Sequence, residues 1–468
     1  MIPAPETAQL LTTPPAPTNS RMDFPKGFFW GVATAAHQVE GGNANNQWSL
    51  WEAAGKIKSG EACGAACDWW NTAEPDFDLA RGMGLNALRL SVEWSRIEPQ
   101  PGQWNMPALR RYREMLEALL HRGLQPFVSL HHFTHPQWFE QQGAFLNETA
   151  AQRFESFARR IVAELGDLCQ HWVTFNEPNV FAALGYILGE FPPGQQGQIR
   201  TALRVLNAMA LCHARAYHAI HDIQPEAQVG WAHHYVVFQP ANPAFPLDRW
   251  SASLLSHLFN EILLTIIERG RPTLPLNPMK GRLAGVCDFV GLNVYSRFHV
   301  AFSMKHPSQL FSKVYVPEHV PQGDSGVEKP YGEAYPAAIT AAVKRAARIG
   351  KPIYILENGV PDAEDRIRPW LIVNAVHELY RLIEQGHDIR GYFHWTLTDN
   401  FEWSEGWHLK FGLVALDTST QRRTMRNSGR LYGAIARANG LTPEIAHSFY
   451  SQTEPGRLIL PRSRNLTL

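Results

Sequence analysis

The segment 172–178 has the sequence WVTFNEP, a short apolar run that ends in Asn176 and Glu177. Aromatic and β-branched residues in such a run predict a buried β-strand over Trp172–Phe175. Seven more runs of this kind occur along the chain, and amphipathic helical patterns separate most of them. They are Phe28–Thr34, Ala87–Val92, Pro126–His131, Gln228–His233, Asp288–Val294, Pro352–Leu356 and Gly391–Trp395. Strands that alternate with helices favour a parallel sheet.

Eight strands can close a barrel, and the distribution of polar residues favours that arrangement. Nearly every run ends in side chains that can do chemistry: Gln38, Arg89, Glu93, His132, Asn176, Glu177, His233, His234, Asn293, Tyr295, Glu357 and Trp395. In barrel enzymes the active site lies at the C-terminal ends of the strands. An open, doubly wound sheet is the alternative, but the sequence WGVATAAHQVEGG around the first run lacks the Gly-rich phosphate turn. The predicted fold class is therefore α/β, a (β/α)8 TIM barrel.

The barrel is predicted to form a single domain with long βα loops. Residues 1–20 are rich in Pro and Thr and predict a disordered tail, and the barrel domain is predicted over residues 21–468. Helices are predicted after Met106, over Thr149–Leu165 and in a stretch that ends at Gly350. In the last two a glycine, Gly166 or Gly350, follows the final turn, as helix C-termini prefer.

The bulk composition argues against several classes of partner. Acidic and basic residues number 43 each, so the chain has no excess of positive charge that would predict a nucleic-acid partner. No stretch is expected to contain the roughly 18 apolar residues that a membrane span needs. The N-terminus lacks the features of a signal peptide. Five cysteines favour free thiols in a reducing, cytoplasmic location. His131 and His132 point to opposite faces of one strand, so no metal or other cofactor is predicted. The oligomeric state stays open.

Two glutamates end the fourth and seventh runs, in WVTFNEP and PIYILENG. Taken singly, Glu177 or Glu357 is better explained by a salt bridge or a helix cap than by catalysis. Taken together, they would face each other across one barrel mouth. Glycosidic bond cleavage needs such a pair, with carboxyl groups about 5–5.5 Å apart in retaining enzymes and about 6.5–9.5 Å apart in inverting ones. The sequence does not decide that separation.

Seven stretches in chain order carry a resemblance to a known family. They are FPKGFFWGVATAAHQVEG, LRLSVEWSRIEP, LHHFTHPQWF, TFNEPN, FVGLNVYS, YILENG and GYFHWTLTDNFEWSEGWHLKFGLVALD. The chain resembles glycoside hydrolase family 1, the β-glucosidase-like retaining enzymes, from Phe24 to about Gly440. The resemblance implies an exo-acting hydrolase of small-molecule β-glycosides that works by two displacements and without a cofactor.

The resemblance also implies roles for individual residues. Glu177 matches the acid/base, Glu357 the nucleophile, and Arg89 and Tyr295 the residues that hold the nucleophile. The sugar-binding matches are Gln38, His132, Asn176, Asn293, Trp395, Glu402 and Trp403. Physical logic supports this division, because a nearby cation favours the charged form of Glu357. The charge on Glu357 in turn favours the protonated form of Glu177 until a sugar ester removes it.

Departures from the commonest family pattern narrow the range of expected substrates. LHHFTHP places Phe133 where a Trp is frequent, and SVEW replaces S-I-S-W. Both variants resemble the archaeal-type β-glycosidase branch, which implies acceptance of glucosides, galactosides and sometimes fucosides. Glu402 stands where the phospho-sugar branch has Ser, and Glu177 where the thioglucosidase branch has Gln. Unphosphorylated O-glycosides are therefore expected.

Two other functions are open. A transglycosylase would form the same covalent intermediate and pass the sugar to an acceptor other than water. A non-catalytic sugar-binding barrel is the second alternative. Such relatives typically lose one catalytic glutamate, whereas Glu177 and Glu357 are both present here.

Overall fold

Eight parallel strands close on themselves in the computed structural model, which describes residues 21–270, 283–306 and 309–450. They are β1 (Phe29–Ala33), β2 (Ala87–Ser91), β3 (Gln125–Ser129), β4 (His171–Asn176), β5 (Gln228–Pro240), β6 (Val290–Phe302), β7 (Ile353–Asn358) and β8 (Ile389–Trp395). Each strand pairs with its sequence neighbour, and the pairing of β8 with β1 completes the ring. All eight predicted strands and the predicted barrel are confirmed.

One long helix follows each strand and packs outside the barrel. In chain order these helices are Glu74–Gly82, Met106–His121, Ala150–Leu165, Ile199–Ile223, Ile262–Arg269, Ala338–Ala346, Arg368–Glu384 and Asn427–Ala438. The helix Ala150–Leu165 shows why they form, since its buried residues recur every three or four positions. They are Ala150, Ala151, Phe154, Phe157, Ala158, Ile161, Val162 and Leu165. That spacing places an apolar stripe against the strands and leaves a polar face in water.

Both predicted helix ends are confirmed, since Gly166 follows Ala150–Leu165 and Gly350 follows the short 3₁₀ turn Ala347–Ile349. The two glycines differ in conformation. Gly350 has φ 73°, a left-handed conformation that suits glycine. Gly166 keeps helical angles, with φ −65° and ψ −26°.

The loops and the two ends of the described chain carry shorter elements. Further helices are Ala36–Val39, Gln47–Ala53, Trp69–Thr72, Trp94–Ile97, Gln137–Gln141, Pro178–Tyr186 and Pro246–Ser256, with a last one near the C-terminus at Pro443–Tyr450. Short strands are Met22–Asp23, Ser312–Tyr315, Glu333–Ala334, Val414–Leu416, Arg423–Met425 and Gly440–Leu441. Met22–Asp23 pairs with Gly440–Leu441, so the two ends of the described chain meet.

Aromatic rings fill the lower part of the barrel interior. Phe127 stacks on His171 with ring centroids 4.2 Å apart, and Phe393 and Phe29 pack edge-on to Phe127 at 4.8 and 5.3 Å. Gly31 on β1 makes room for this layer, because a Cβ there would lie 2.4 Å from the Phe393 ring. With this layer below, the polar ends of the strands are left at the upper mouth.

Two strands run far beyond the barrel rim. β5 extends to Pro240 and β6 to Phe302, and the two stay paired up to Pro240 and Val300. Ser312–Tyr315 and Glu333–Ala334 add to β6 in antiparallel register. The predicted ends of these strands, at His233 and Val294, were therefore several residues too early. The extension forms a wall above one side of the barrel mouth.

The stretch Pro246–Arg269 is apolar and long enough to cross a membrane by length and composition, with a mean hydropathy of 1.3. The expectation that no stretch is long and apolar enough for a membrane span was therefore wrong. Half of the stretch is buried, and it consists of two helices joined by the π-helical turn His257–Glu261. Helix Pro246–Ser256 packs on the extended β5 and β6. A core helix of a soluble protein passes the same test, so this helix is weak support for a membrane span.

The predicted tail, residues 1–20, lies outside the described residues. The predicted domain, residues 21–468, includes residues 271–282, 307–308 and 451–468, which also lie outside them. The described residues form one barrel with one large core cluster and a small satellite around Leu371.

Candidate active site

The upper mouth of the barrel brings the predicted site residues together. Arg89 comes from β2, Asn176 and Glu177 from the end of β4, and Glu357 from β7. The other predicted residues at this mouth are Gln38, His132, Asn293, Tyr295, Trp395, Glu402 and Trp403. Of the eleven predicted side chains, all but Glu402 belong to buried residues, and Glu402 is partly buried. The barrel mouth therefore brings together residues that are as far apart in the chain as Gln38 and Trp403.

Both glutamates lie next to irregular strand pairing. The register of β4 against β5 shifts between Val173 and Asn176, and that of β7 against β6 shifts between Ile355 and Glu357. A bulge changes the side to which the next side chain points. Glu177 itself has a left-handed backbone, with φ 46° and ψ 59°. Such a conformation is costly for a non-glycine residue and persists where surrounding structure enforces it.

Glu357 is held by a cation and a phenol. Arg89 Nη1 lies 2.6 Å from Glu357 Oε1, and the Tyr295 hydroxyl donates to Glu357 Oε2 at 2.6 Å. Arg89 is fully buried, and its Nε also donates to Ser129 Oγ at 2.9 Å. Both oxygens of Glu357 are thus fixed by donors, which stabilises the charged carboxylate and orients it.

Glu177 has a different set of partners. Asn293 Nδ2 donates to Glu177 Oε1 at 2.8 Å, and His234 Nδ1 lies 2.8 Å from the same oxygen. Neither partner is a permanent cation. The two carboxyl groups of the predicted pair therefore sit in unlike surroundings, which is what separates an acid from a nucleophile.

Asn176 connects the two glutamates. Its Oδ1 accepts from Arg89 Nη2 at 2.6 Å and from Asn293 Nδ2 at 2.9 Å, and its Nδ2 contacts His132 Nε2 at 2.9 Å. Arg89 and Asn293 are the same groups that contact Glu357 and Glu177. One continuous hydrogen-bond network therefore connects the two carboxyl groups.

Three carboxyl groups share this cavity with Arg89. Burial and, to a smaller extent, the Glu177 charge raise the pKa of Glu357 to about 7, against the lowering effects of Arg89 and Tyr295. Burial, then the charges of Glu357 and Glu177, raise the pKa of Glu402 to about 8. Glu357 and Glu402 therefore titrate near neutral pH. Burial and the Arg89 charge lower the pKa of His132 well below its usual value, so its ring is neutral.

Several polar atoms at the mouth have no hydrogen-bond partner within the described part of the protein. Gln38 Oε1, His132 Nδ1 and Asn293 Oδ1 are among them. Gln38 Nε2, in contrast, donates to the Phe401 carbonyl at 2.8 Å, which fixes the direction of the amide. Buried polar atoms without partners are costly unless a ligand satisfies them. Sugar hydroxyls both donate and accept, and they match this need.

Aromatic rings form one wall of the cavity. The His132 ring stacks on Trp403 with centroids 5.9 Å apart and lies 5.8 Å from Trp395. Phe133 packs edge-on to Trp403 at 5.1 Å, so this residue supports the wall. Phe133 and Trp403 both have positive φ, 64° and 49°. Flat apolar rings beside polar groups suit the face of a pyranose.

Two residues of the mouth were not assigned by sequence reasoning. His234 Nδ1 lies 2.8 Å from Glu177 Oε1, whereas the sequence placed His234 only among the polar residues at the end of a strand. Tyr331 is the second of these residues; burial and then the charges of Glu402, Glu177 and Glu357 raise the pKa of its phenol. Its ring packs edge-on to Phe411 at 5.1 Å. No sequence motif marks Tyr331, because its loop has no regular pattern.

Comparison with known proteins agrees with this geometry. The model of "Glycosyl hydrolase family 1" matches residues 20–441. "Beta-glucosidase A" of Thermotoga maritima is 31% identical over 451 residues, covering 89% of this chain and 98% of that protein. A "Beta-galactosidase" of Sulfolobus acidocaldarius is 28% identical, covering 91% and 97%. The solved β-glycosidase from Pyrococcus horikoshii superposes with a TM-score of 0.83 at 33% identity, covering 92% and 98%.

The barrel and its paired carboxyl groups define the class of glycoside hydrolases. Within that class the chain belongs to glycosyl hydrolase family 1. It is an enzyme of the β-glucosidase type, and the resemblance predicted from its motifs is confirmed.

The raised pKa of Glu402 leads to a first testable prediction. The folded protein binds this proton up to about pH 8, whereas an unfolded glutamate releases it near 4.5. The stabilising contribution of that proton is therefore present at low pH and lost as pH rises from about 4.5 to 8. Glu402→Gln removes the dependence, so its stability relative to the parent should grow with pH. We expect a gain of ~1–3 kcal/mol and ~1–3 °C in Tm at pH 8.

Turnover should change in the opposite direction. Loss of the carboxyl contact to a sugar hydroxyl should lower kcat/KM of Glu402→Gln ~10–100-fold. Glu405→Gln is the matched control, because Glu405 pairs with Lys58 at 2.7 Å and gains nothing from neutralisation. Thermal unfolding at pH 5 and pH 8 checks the prediction. A Tm difference between Glu402→Gln and parent that is equal at both pH values contradicts it.

Proposed function

We propose that this enzyme removes terminal, non-reducing β-D-glucosyl residues from O-glycosides by a retaining, two-step mechanism. Glu177 is the acid/base and Glu357 the nucleophile. The observation that carries the proposal is the unequal environment of the two carboxyl groups. Glu357 receives two short hydrogen bonds, from Arg89 and Tyr295, and Glu177 contacts only the neutral Asn293 and the ring of His234.

In the first step Glu177 gives its proton to the glycosidic oxygen while the bond from that oxygen to the anomeric carbon breaks. A Glu357 oxygen forms the new bond to that carbon, and the aglycone leaves as an alcohol. Arg89 and Tyr295 position the carboxylate for this attack. Formation of the ester removes the charge of Glu357, so the pull that kept a proton on Glu177 ends.

In the second step the ionised Glu177 takes a proton from water. The hydroxyl forms a bond to the anomeric carbon, and the ester bond to Glu357 breaks. Glu177 is protonated again and Glu357 is charged again, which restores the starting state. Two inversions leave the released sugar in the β configuration.

The sugar in this cavity would be held by Gln38, His132, Asn176 and Glu402, with Trp395 and Trp403 against its ring. The unpartnered atoms of Gln38 and His132 support this assignment. Tolerance of galactosyl and fucosyl residues is part of the proposal. A relative named as a β-galactosidase and the likeness to a Pyrococcus β-glycosidase support it.

A panel of nitrophenyl glycosides tests the proposed substrate. We expect the β-glucoside to be cleaved, with kcat/KM for the β-galactoside and β-fucoside within ~100-fold, since one hydroxyl contact is worth about 1–3 kcal/mol. The α-glucoside and the 6-phospho-β-glucoside are the controls and should react at background rates. Preference for the phosphorylated sugar, or cleavage of the α-anomer, would contradict the proposal.

The same assay separates hydrolysis from transfer. With added methanol, a hydrolase keeps free sugar as its main product, whereas a transglycosylase gives mostly methyl β-glycoside. A majority of free sugar supports hydrolysis. We also propose a reducing, cytoplasmic location, supported by five cysteines that are all free and buried.

A further inference from the structure

His234 lies on the extended part of β5, directly opposite Asn293 on β6 in the strand register. Both side chains reach the same atom, Glu177 Oε1, at 2.8 Å. The preceding residue, His233, points away and is fully buried, with neither ring nitrogen hydrogen-bonded within the described part of the protein. Adjacent residues of one strand face opposite sides, so only His234 enters the cavity.

The ring of His234 packs against two aromatic rings, and its backbone is held by a hydrogen bond. It stacks on the Tyr295 ring, with centroids 5.5 Å apart and planes 16° from parallel, and Phe259 packs edge-on at 5.8 Å. Its backbone carbonyl accepts from Asn179 Nδ2 at 2.8 Å, and Asn179 lies two residues after Glu177. The ring therefore cannot turn away from Glu177 without disturbing the phenol that holds Glu357.

The hydrogen-bond chemistry decides which oxygen of Glu177 carries the proton. An amide nitrogen such as Asn293 Nδ2 only donates, so Glu177 Oε1 is an acceptor. If His234 Nδ1 carries its hydrogen, it donates to the second lone pair of the same oxygen. Oε1 is then saturated, and the proton that Glu177 gives to the leaving group resides on Oε2.

We propose that His234 is a positioning residue for Glu177. His234 holds Glu177 Oε1, so that Oε2 delivers the proton in the first step. In the second step, when Glu177 must act as a base, the same hydrogen bond stabilises its carboxylate. The proposal deepens the function above and rests on the acid/base role of Glu177. In the described part of the protein, two titratable groups face the His234 ring: Glu177, and Tyr295, whose hydroxyl contacts Glu357. The charge of Arg345 acts on the neighbouring residue His233.

The second step should depend on His234 more than the first, because only then must Glu177 be ionised. His234→Phe keeps a ring on Tyr295 and removes the hydrogen bond. For a 2,4-dinitrophenyl glycoside, we expect kcat and KM both to fall about 10-fold while kcat/KM changes less than about 3-fold, since the covalent intermediate accumulates. Azide attacks that intermediate without base assistance and should restore kcat.

The pH profile gives a second readout. A hydrogen bond donated by His234 Nδ1 stabilises a carboxylate more than a carboxylic acid, so its loss should change the pH dependence of turnover. The basic limb of kcat/KM should move up by about 0.5–1 pH unit in His234→Phe. His234→Gln retains an amide donor, so the basic limb of its kcat/KM profile should lie closer to that of the parent enzyme. His233→Leu, which removes the unbonded neighbour, should leave it in place.

A merely structural role for His234 predicts a different pattern. If kcat/KM falls in the same proportion for all leaving groups, with an unmoved basic limb and no azide effect on kcat, the inference is wrong. Should His234→Phe fail to fold, His234→Leu takes its place in the same comparison with His233→Leu, because it also removes the hydrogen bond to Glu177. Failure of the proposed function is recognised separately, since Glu177→Ala would then give no β-glycosyl azide. In that case the role of His234 falls with it.

Discussion

Replacement of Glu357 by alanine should lower kcat for an aryl β-glucoside by at least ~10⁴-fold. The substitution removes the carboxylate that Arg89 and Tyr295 hold at 2.6 Å each, so no group remains to bond the anomeric carbon. Removing a nucleophile that acts together with its supporting residues causes losses of this order. Initial rates with a nitrophenyl β-glucoside, on protein shown to be folded by its Tm, measure the effect.

Azide should restore turnover of Glu357→Ala and identify the position of the missing group. A small anion can occupy the space left beside Arg89 and attack from the α face, which gives an α-glycosyl azide. Asp76→Ala is the matched control. Asp76 is a buried carboxylate paired with Arg423 at 3.0 Å, outside the barrel mouth, so its loss should lower Tm without an azide effect. A β-glycosyl azide from Glu357→Ala would contradict the assignment.

Replacement of Glu177 by alanine should produce a loss that depends on the leaving group. A disaccharide or alkyl glycoside needs its oxygen protonated, so its kcat/KM should fall at least ~10³-fold. A 2,4-dinitrophenyl glycoside has a good leaving group, and its kcat/KM should fall less than ~10-fold. Rates across a series of aryl glycosides, plotted against the acidity of the phenol, check this difference.

The second step supplies an independent readout for Glu177→Ala. Without a base, the covalent ester should persist, and azide should release it as a β-glycosyl azide. The companion variant Glu177→Gln keeps the contacts to Asn293 and should behave in the same way toward leaving groups. An equal loss for all leaving groups would show that Glu177 is not the acid.

The barrel could be predicted because its signals are local. Each strand is an apolar run bounded by polar residues, and each helix has a stripe such as that of Ala150–Leu165. The ends of β5 and β6 could not be predicted, because the wall beyond the rim is stabilised by pairing between residues about 60 positions apart.

The candidate site was predictable in its members but not in its contacts. The motifs singled out both glutamates and Arg89, whereas the register shifts beside Glu177 and Glu357 have no sequence signature. His234 could be placed at a strand end, but not on the inner face with a bond to Glu177. The catalytic and binding roles of these residues stay predictions until the variants are measured.

The stereochemistry of the first product tests the central claim most directly. Proton NMR of a nitrophenyl β-glucoside during the first minutes of hydrolysis resolves the anomeric signals before mutarotation mixes them. The account predicts β-glucose as the first-formed sugar, with α-glucose appearing only later at the rate of spontaneous mutarotation. Initial release of α-glucose would contradict a covalent bond between Glu357 and the sugar.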